Sequence, residues 1–340
     1  MSDIARRLDV SQATVSLVLN DAPGTRISAG MRERVLAVAR ELGYVKALPA
    51  RRVSEGAIGL ILDDVTASRH AAPLIEGVRS QAAANGYTVL MTVAGGDADD
   101  AGAALDQLAQ RPLAGIIYAT LVTQAMPAPP PRLAGFPVVL LNCYQPRGRY
   151  SSVIPGDVAG AFAGTSALIA AGHRRIAMIN AGERGLDAVR DRLRGYRQAL
   201  ATHDIPVDPA LISIGAWSLE LGRAHMHRLL DLPQPPTAVF CFSDRVAMGV
   251  YDAVRQRGLT IPGDISVVGF DNESLAAQIA PPLSTLVLPH EDMGRWAVTE
   301  LLDRVANPRK APVRLKMECM LILRDSIAPP RTAETCYQER

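Results

Sequence analysis

Cysteine is scarce in this 340-residue chain: Cys143, Cys241, Cys319 and Cys336 stand far apart, and the first three lie in apolar runs. A disulfide framework or a zinc site needs clustered ligands, so the four are read as reduced thiols of a cytosolic protein. Long hydrophobic runs are missing as well. None approaches the ~18 apolar residues that a membrane-spanning helix needs. Asp3, Arg6, Arg7 and Asp9 occupy the place where a secretory leader would begin, which argues against export. A cytoplasmic protein without a membrane partner is expected.

The motifs of common enzymes are absent too. No GxGxxG, GxxxxGK(S/T) or GxSxG occurs, so neither a phosphate-cradling loop nor a nucleophile elbow is indicated. His225 and His227 are two apart, and on a helix such neighbours diverge. The acidic run at 95–108 reads as a loop entering a helix, with Asp97, Asp99 or Asp100 available to cap its first turn. No cofactor, metal or enzymatic activity is expected. An α/β enzyme without a recognisable motif, and a solute-binding protein, stay open as alternatives.

Hydrophobic residues make up 48% and charged residues 21% of the sequence, enough apolar surface for a large core. The length suits two or three domains. The formal net charge of +2 is unevenly spread: residues 1–56 hold nine Lys/Arg against six Asp/Glu, the other 284 hold 27 against 28. A polyanion partner is therefore expected at the amino-terminal end.

Three zones follow. Residues 1–45 are helical in pattern. Residues 46–56 (KALPARRVSEG) are basic and interrupted by Pro49, as a linker is. From Ala57 short apolar runs alternate with helical stretches. The strand candidates are 57–63, 87–93, 114–120 and 136–142, then 174–180, 211–214, 237–243 and 264–270. Continuous apolar runs of this length mark parallel strands covered on both faces. The helical stretches 73–87 and 245–259 each carry a Gly just past the last turn, a C-cap signature. A repeat of about 30 residues in two similar halves predicts two doubly wound lobes, with 284–288 and 313–326 returning to complete both sheets. Ligands then belong in the crevice at the carboxyl ends of the strands.

In DIARRLDVSQATVSLVLN (3–20), Ile4, Ala5 and Leu8 share one helical face. Asp9 suits a left-handed turn, and Ser11 can N-cap a second helix in which Val15, Val18 and Leu19 turn inward. A third helix is expected over about 28–42, with Val35, Val38, Ala39 and Leu42 inward. Such a helix-turn-helix presents the start of its second helix to a major groove. Gln12 can pair with adenine, while Ala13 and Leu17 can meet a thymine methyl. Thr14, Ser16 and Asn20 suit phosphates.

These residues, followed by RVLAVARELGY and ARRV, resemble the headpiece of the LacI/GalR repressors. The likeness continues in order through RLRGYRQAL (192–200), GAWS (215–218), FSDRVAMGVYDAVRQRGLTIPGDISVVGFDN (242–272) and PPLSTLVLP (281–289). It implies an all-α helix-turn-helix domain (1–45), a hinge (46–56), and a periplasmic-binding-protein-like α/β domain (57–328) of two doubly wound parallel-sheet lobes. The first lobe would comprise about 57–155 and 290–318, the second about 156–288 and 319–328, with a tail at 329–340.

By this resemblance the chain is a repressor of operator DNA, working as a homodimer controlled by a sugar-like effector between the lobes. Ser11, Gln12, Ala13, Thr14, Ser16, Leu17 and Asn20 would face DNA. In the hinge, Arg51 would join them, and Val53 would wedge a minor-groove step where the family usually carries Leu. Arg192 and Asp271 match the positions that hold a polar ligand, Trp217 one that stacks on it, and His70, Asn142 and Ser243 others that reach it. His70 and Ala71 replace the family's aromatic pair, so the pocket departs from the pattern there. The first helix also begins two or three residues sooner than is usual, so an upstream native start is expected. The tail has Pro329 and Pro330 and no leucine heptads, so no coiled-coil tetramer is expected.

Overall fold

A computed structural model describes residues 2–19, 27–41, 56–63, 70–94, 98–126, 131–182, 186–215 and 217–331. The hinge readings at Pro49, Arg51 and Val53, and those at Asn20, Leu42, Asp97 and Cys336, lie outside these residues, as do the side chains of Asp99 and Asp100. The chain divides into two compact units, Met1–Glu55 and Gly56–Arg340.

The first unit holds α1 (Ser2–Leu8), α2 (Gln12–Leu19) and α3 (Ala29–Glu41). Ile4, Ala5, Val15, Val18, Leu19, Val35 and Ala39 form its buried centre, with Leu8 and Val38 packed against it. Asp9 takes the left-handed conformation, φ 51°, a region that Asp tolerates better than most residues, and Val10 N–H closes the turn on Ala5 O at 3.0 Å. Ser11 Oγ accepts from Thr14 N at 3.1 Å and Ser28 Oγ from Met31 N at 3.3 Å. Each hydroxyl satisfies a backbone donor that a helix start leaves over.

The second unit begins with β1 (Gly56–Leu62), α4 (Ala71–Ala84), β2 (Tyr87–Val93), α5 (Ala98–Leu108), β3 (Leu113–Ala125), β4 (Val138–Tyr144) and β5 (Ser151–Pro155). It continues with α6 (Asp157–Ala170), β6 (Ile176–Asn180), α7 (Asp187–Thr202), β7 (Ile212–Ile214), α8 (Leu219–Leu230), β8 (Ala238–Cys241), α9 (Asp244–Gln256), β9 (Ser266–Asp271) and β10 (Ser284–Val287). Last come α10 (His290–Ala306), β11 (Arg314–Met317) and β12 (Leu321–Ile322). Two six-stranded sheets result, ordered β11-β5-β4-β3-β1-β2 and β12-β10-β9-β8-β6-β7. All pairs are parallel except β10 with β12. Both orders share one winding, so the two halves are topological copies apart from the direction of the returning strands β11 and β12.

The chain crosses between the sheets three times, after β5, after β10 and between β11 and β12. The expected return of the tail segments to both sheets is therefore observed, with 313–326 supplying one short strand to each. The strand expected over 136–142 runs from Val138 to Tyr144. One strand escaped the sequence reading: β5, SSVIP, which is fully buried. Ser151 Oγ donates to Glu300 Oε1 at 2.7 Å and accepts from Val313 N at 3.0 Å, so partners some 150 residues away make a polar strand buriable. The expected C-caps hold: Gly86 and Gly258 sit at φ +79° and +69°.

Helices cover both sheet faces, and some cross very closely. α4 meets α10 where Gly77 faces Gly294, and a Cβ on Gly77 would stand 2.0 Å from Glu291 O. Gly77→Ala is expected to cost about 1–3 kcal/mol or more through overpacking. Gly30→Ala on α3, where a Cβ meets nothing within 4 Å, should gain up to about 1 kcal/mol of helix stability. Urea denaturation of the two variants checks the opposite signs.

Candidate functional site

On the headpiece, the second helix presents Ser11, Gln12, Ala13 and Leu17 at the surface, Leu17 at 39% exposure. Thr14 and Ser16 are half-buried, not exposed as the pattern suggested. Thr14 Oγ1 lies 2.9 Å from Ser11 Oγ, inside the cap. The surface of α2 thus carries one amide and two apolar groups, backed by the buried Val15 and Val18.

In the second unit a cavity of about 360 Å³ lies at the carboxyl ends of the strands of both sheets, the place expected for ligands in open α/β sheets. Its volume falls in the range of small-molecule sites, about 300–1,000 Å³. His70, Asn142, Arg192, Trp217, Ser243 and Asp271 all line it. Each stands near the point where a strand gives way to the next element. His70 precedes α4, Asn142 is near the end of β4, and Arg192 is on the second turn of α7. Ser243 caps α9, its Oγ accepting from Val246 N at 3.3 Å, and Asp271 ends β9.

Arg192 is the centre of this wall. Its Nε donates to Asp157 Oδ1 at 2.8 Å and its NH1 to Phe242 O. NH1 stands 3.8 Å from Asp271 Oδ1. The guanidinium carbon lies 3.6 Å from the ring centroid of Phe270 and 4.4 Å from that of Phe242. Two aromatic faces and a carboxylate thus compensate a cation whose side chain is only 5% exposed.

Asn142 lines the cavity and also has a structural place in the sheet. β3 arches away from β4 between Ala119 and Gln124, and Asn142, at φ 59°, fills the gap. Its Nδ2 donates to Thr120 O at 2.9 Å, and its Oδ1 accepts from Thr123 Oγ1 at 2.8 Å. The amide holds the arch that brings Leu121, Val122 and Thr123 to the cavity, so the arch residues, not the Asn142 amide alone, form that wall.

Sequence reasoning missed His290, Phe242 and Leu288, which also line the cavity. The His70 and His290 rings meet edge to face at 5.3 Å. Burial, with the Arg192 charge beside them, pushes His70 down to about 4 and His290 to about 3, so both are neutral near pH 7. Trp217 packs edge-on to Phe242 at 5.0 Å. Among the described residues its buried indole N–H has no acceptor. Asp157, beneath Arg192, was also missed; its signal was the PGD turn after β5.

The headpiece matches the model of bacterial regulatory proteins, lacI family, over residues 1–46. Residues 165–327 match a periplasmic binding protein-like domain. The ribose operon repressor of Haemophilus influenzae is 34% identical over 330 residues, 96% of this chain and 98% of that one. The chain belongs to the LacI family of bacterial transcriptional regulators. The Escherichia coli repressor CytR is likewise 34% identical, over 96% of this chain and 95% of its own. A solved complex of the transcriptional regulator CelR with cellobiose superposes with a TM-score of 0.69 at 30% identity, covering 95% of this chain and 98% of that one. A LacI family regulator from Enterococcus faecium with bound ribose gives 0.66 at 25% identity, over 81% of this chain and 100% of that one. These relatives are transcriptional regulators, and among the described residues no helix is long and apolar enough to cross a membrane.

For this LacI-family chain, Arg192 doubles as a structural cation. Arg192→Ala should cost about 3–5 kcal/mol of stability, because it strands the buried Asp157 carboxylate. Chemical denaturation of the purified variant measures that loss directly, and a loss below about 1 kcal/mol contradicts the structural role.

Proposed function

We propose that this protein is a sequence-specific repressor whose operator affinity is set by a small, sugar-like molecule bound in the cavity between the lobes. The observation that carries the reading is the convergence of His70, Arg192, Trp217, Ser243 and Asp271, from segments up to 200 residues apart, on one cavity. An Arg and an Asp meeting beside an indole suit a polyol: polar groups fix hydroxyls, and the aromatic covers an apolar ring face. The bound cellobiose and ribose of the two similar regulators favour the same ligand class. The protein works in the cytoplasm without catalysing a reaction.

Gln12, Ala13 and Leu17 read base edges. Ser11, Thr14, Ser16 and Asn20 position the helix on phosphates, and Arg51 and Val53 act in the hinge. Two headpieces of a homodimer engage half-sites about one helical turn apart. Effector binding closes the cleft and shifts the hinge between two states, a coupling of about 1–3 kcal/mol, or about 5- to 150-fold in operator affinity.

Gel-shift titration of operator DNA with and without ribose, cellobiose and related sugars tests this reading and gives the sign of the response. Operator affinity that never changes with any cleft ligand removes the sensing half of the proposal. Gln12→Ala should cost about 1–3 kcal/mol at its base pair. Equal weakening on all sequences would place Gln12 on phosphate instead.

A further inference from the structure

Among the described residues, the cavity carboxylate Asp271 has no ion pair at hydrogen-bond length. Its side chain is 6% exposed, and its two cationic or titratable neighbours, Arg192 NH1 and His70 Nε2, stand at 3.8 and 3.7 Å, beyond direct hydrogen-bond length. Arg192 is already committed to Asp157 and Phe242 O. The backbone at Asp271 is strained, at φ 115°, a conformation that persists only when its surroundings impose it.

The groups around it are mostly acidic. From α6 comes Asp157 and from α9 comes Asp244, whose carboxylate accepts from Thr285 Oγ1 and Glu273 N. Glu273 follows two residues on. Arg324, whose charge acts on Asp244, is held by Asn272 Oδ1 at 2.7 Å and Leu283 O at 2.6 Å. Arg245 is exposed at the rim beside Glu273. Among the described residues, the first-lobe side contributes the neutral pair His70 and His290. Among the described residues, Arg324 and Arg245 face Asp244 and Glu273, while Asp271 shares Arg192 with Asp157, which binds it directly.

We propose that Asp271 carries a proton near neutral pH and releases it on capture of an uncharged, hydroxyl-bearing ligand, so that the cleft takes a free sugar in preference to its phosphate ester. The inference rests on the effector reading of this cavity. In the balance, the Asp271 carboxylic acid loses its proton to solvent, and the resulting carboxylate accepts hydrogen bonds from ligand hydroxyls, which stabilise the charged form. A phosphate ester would bring its own charge into a wall whose buried cation is already taken. Burial and the neighbouring carboxylates act in the direction the proposal needs, raising Asp271 well above the usual carboxylate range.

The test uses the full-length protein and Asp271→Asn, which keeps shape and tolerates the same backbone. The first measurement needs no ligand: melting temperature against pH. A carboxyl whose folded pKa is raised contributes stability that is complete below its unfolded value, about 3.9, and lost as pH rises through the folded one. The variant should therefore melt several degrees above wild type at about pH 8, with the gap closing toward about pH 5. A variant that melts lower, by an amount that widens with pH, overturns the proton.

The second measurement is calorimetry with ribose or another panel sugar that binds, in two buffers of different ionisation enthalpy. Release of up to one proton per site in wild type supports the proposal, and identical heats in both buffers overturn it. The third is a thermal-shift panel of free pentoses, hexoses and disaccharides beside their phosphate esters. Any ester that matches or exceeds its free sugar overturns the selectivity. If nothing in the panel shifts the melting temperature, the effector reading itself falls, while the pH comparison still decides the proton.

Discussion

One guanidinium organises the second unit. Arg192 is buried among Phe242, Phe270, Asp157 and Asp271, four residues supplied by three different segments of the chain. Removing a full charge from water costs several kcal/mol even after relaxation. That cost is offset only if each partner stands where it does. The partners in turn fix the ends of β8 and β9 and the start of α6 around the first turns of α7. The wall of the cavity is therefore the solvation shell of a buried cation, and the positions of Phe242 and Asp271 follow from it.

The winding of the two sheets puts that wall where it is. Each lobe repeats one strand order, so strand ends of both lobes open on the same side of their sheets, and the three crossovers bring those sides together. His290 shows the consequence. It starts α10 directly after a crossover from β10, so a residue encoded next to second-lobe strands packs against His70 at the head of the first lobe's α4. Glycine pairs such as Gly77 and Gly294 let α4 and α10 approach closely enough to hold that end of the cleft.

Much of this was legible in the residues. Eight apolar runs marked strands, six of them largely buried as expected, while β2 and β7 are sheet edges and stay partly exposed. The headpiece announced itself through Asp9, Ser11 and the spacing of Ile4, Val15 and Val18. β5 was hidden because its polar Ser151 and Ser152 look exposed until Glu300 and Val313 are known to meet them. The arch of β3 was hidden because one asparagine replaces ladder hydrogen bonds, which no local pattern encodes. Arg192 and Asp271 were found by resemblance. Their surroundings, Asp157, Phe270 and His290, were not, because burial of a charge is a property of packing and not of spacing.

Ligand preference depends on this difference between positions and surroundings. The family likeness implies the Arg and Asp positions, yet what those groups can bind is set by who else shares the charge. Here His70 and Ala71 stand where the family's pattern leads one to expect an aromatic pair, and His290 packs against His70. An aromatic face would add apolar cover and no protonation equilibrium. Two imidazoles add hydrogen-bonding nitrogens, and the Arg192 charge disfavours protonating either. A neutral imidazole facing a carboxylate at 3.7 Å adds no charge, and Arg192 NH1 at 3.8 Å is shared with Asp157. The wall therefore compensates Asp271 in part, and the proposed proton or a ligand hydroxyl answers the rest. On this argument the identity of a bound sugar in a similar regulator is a weaker guide to this cleft than the charge count of its own wall.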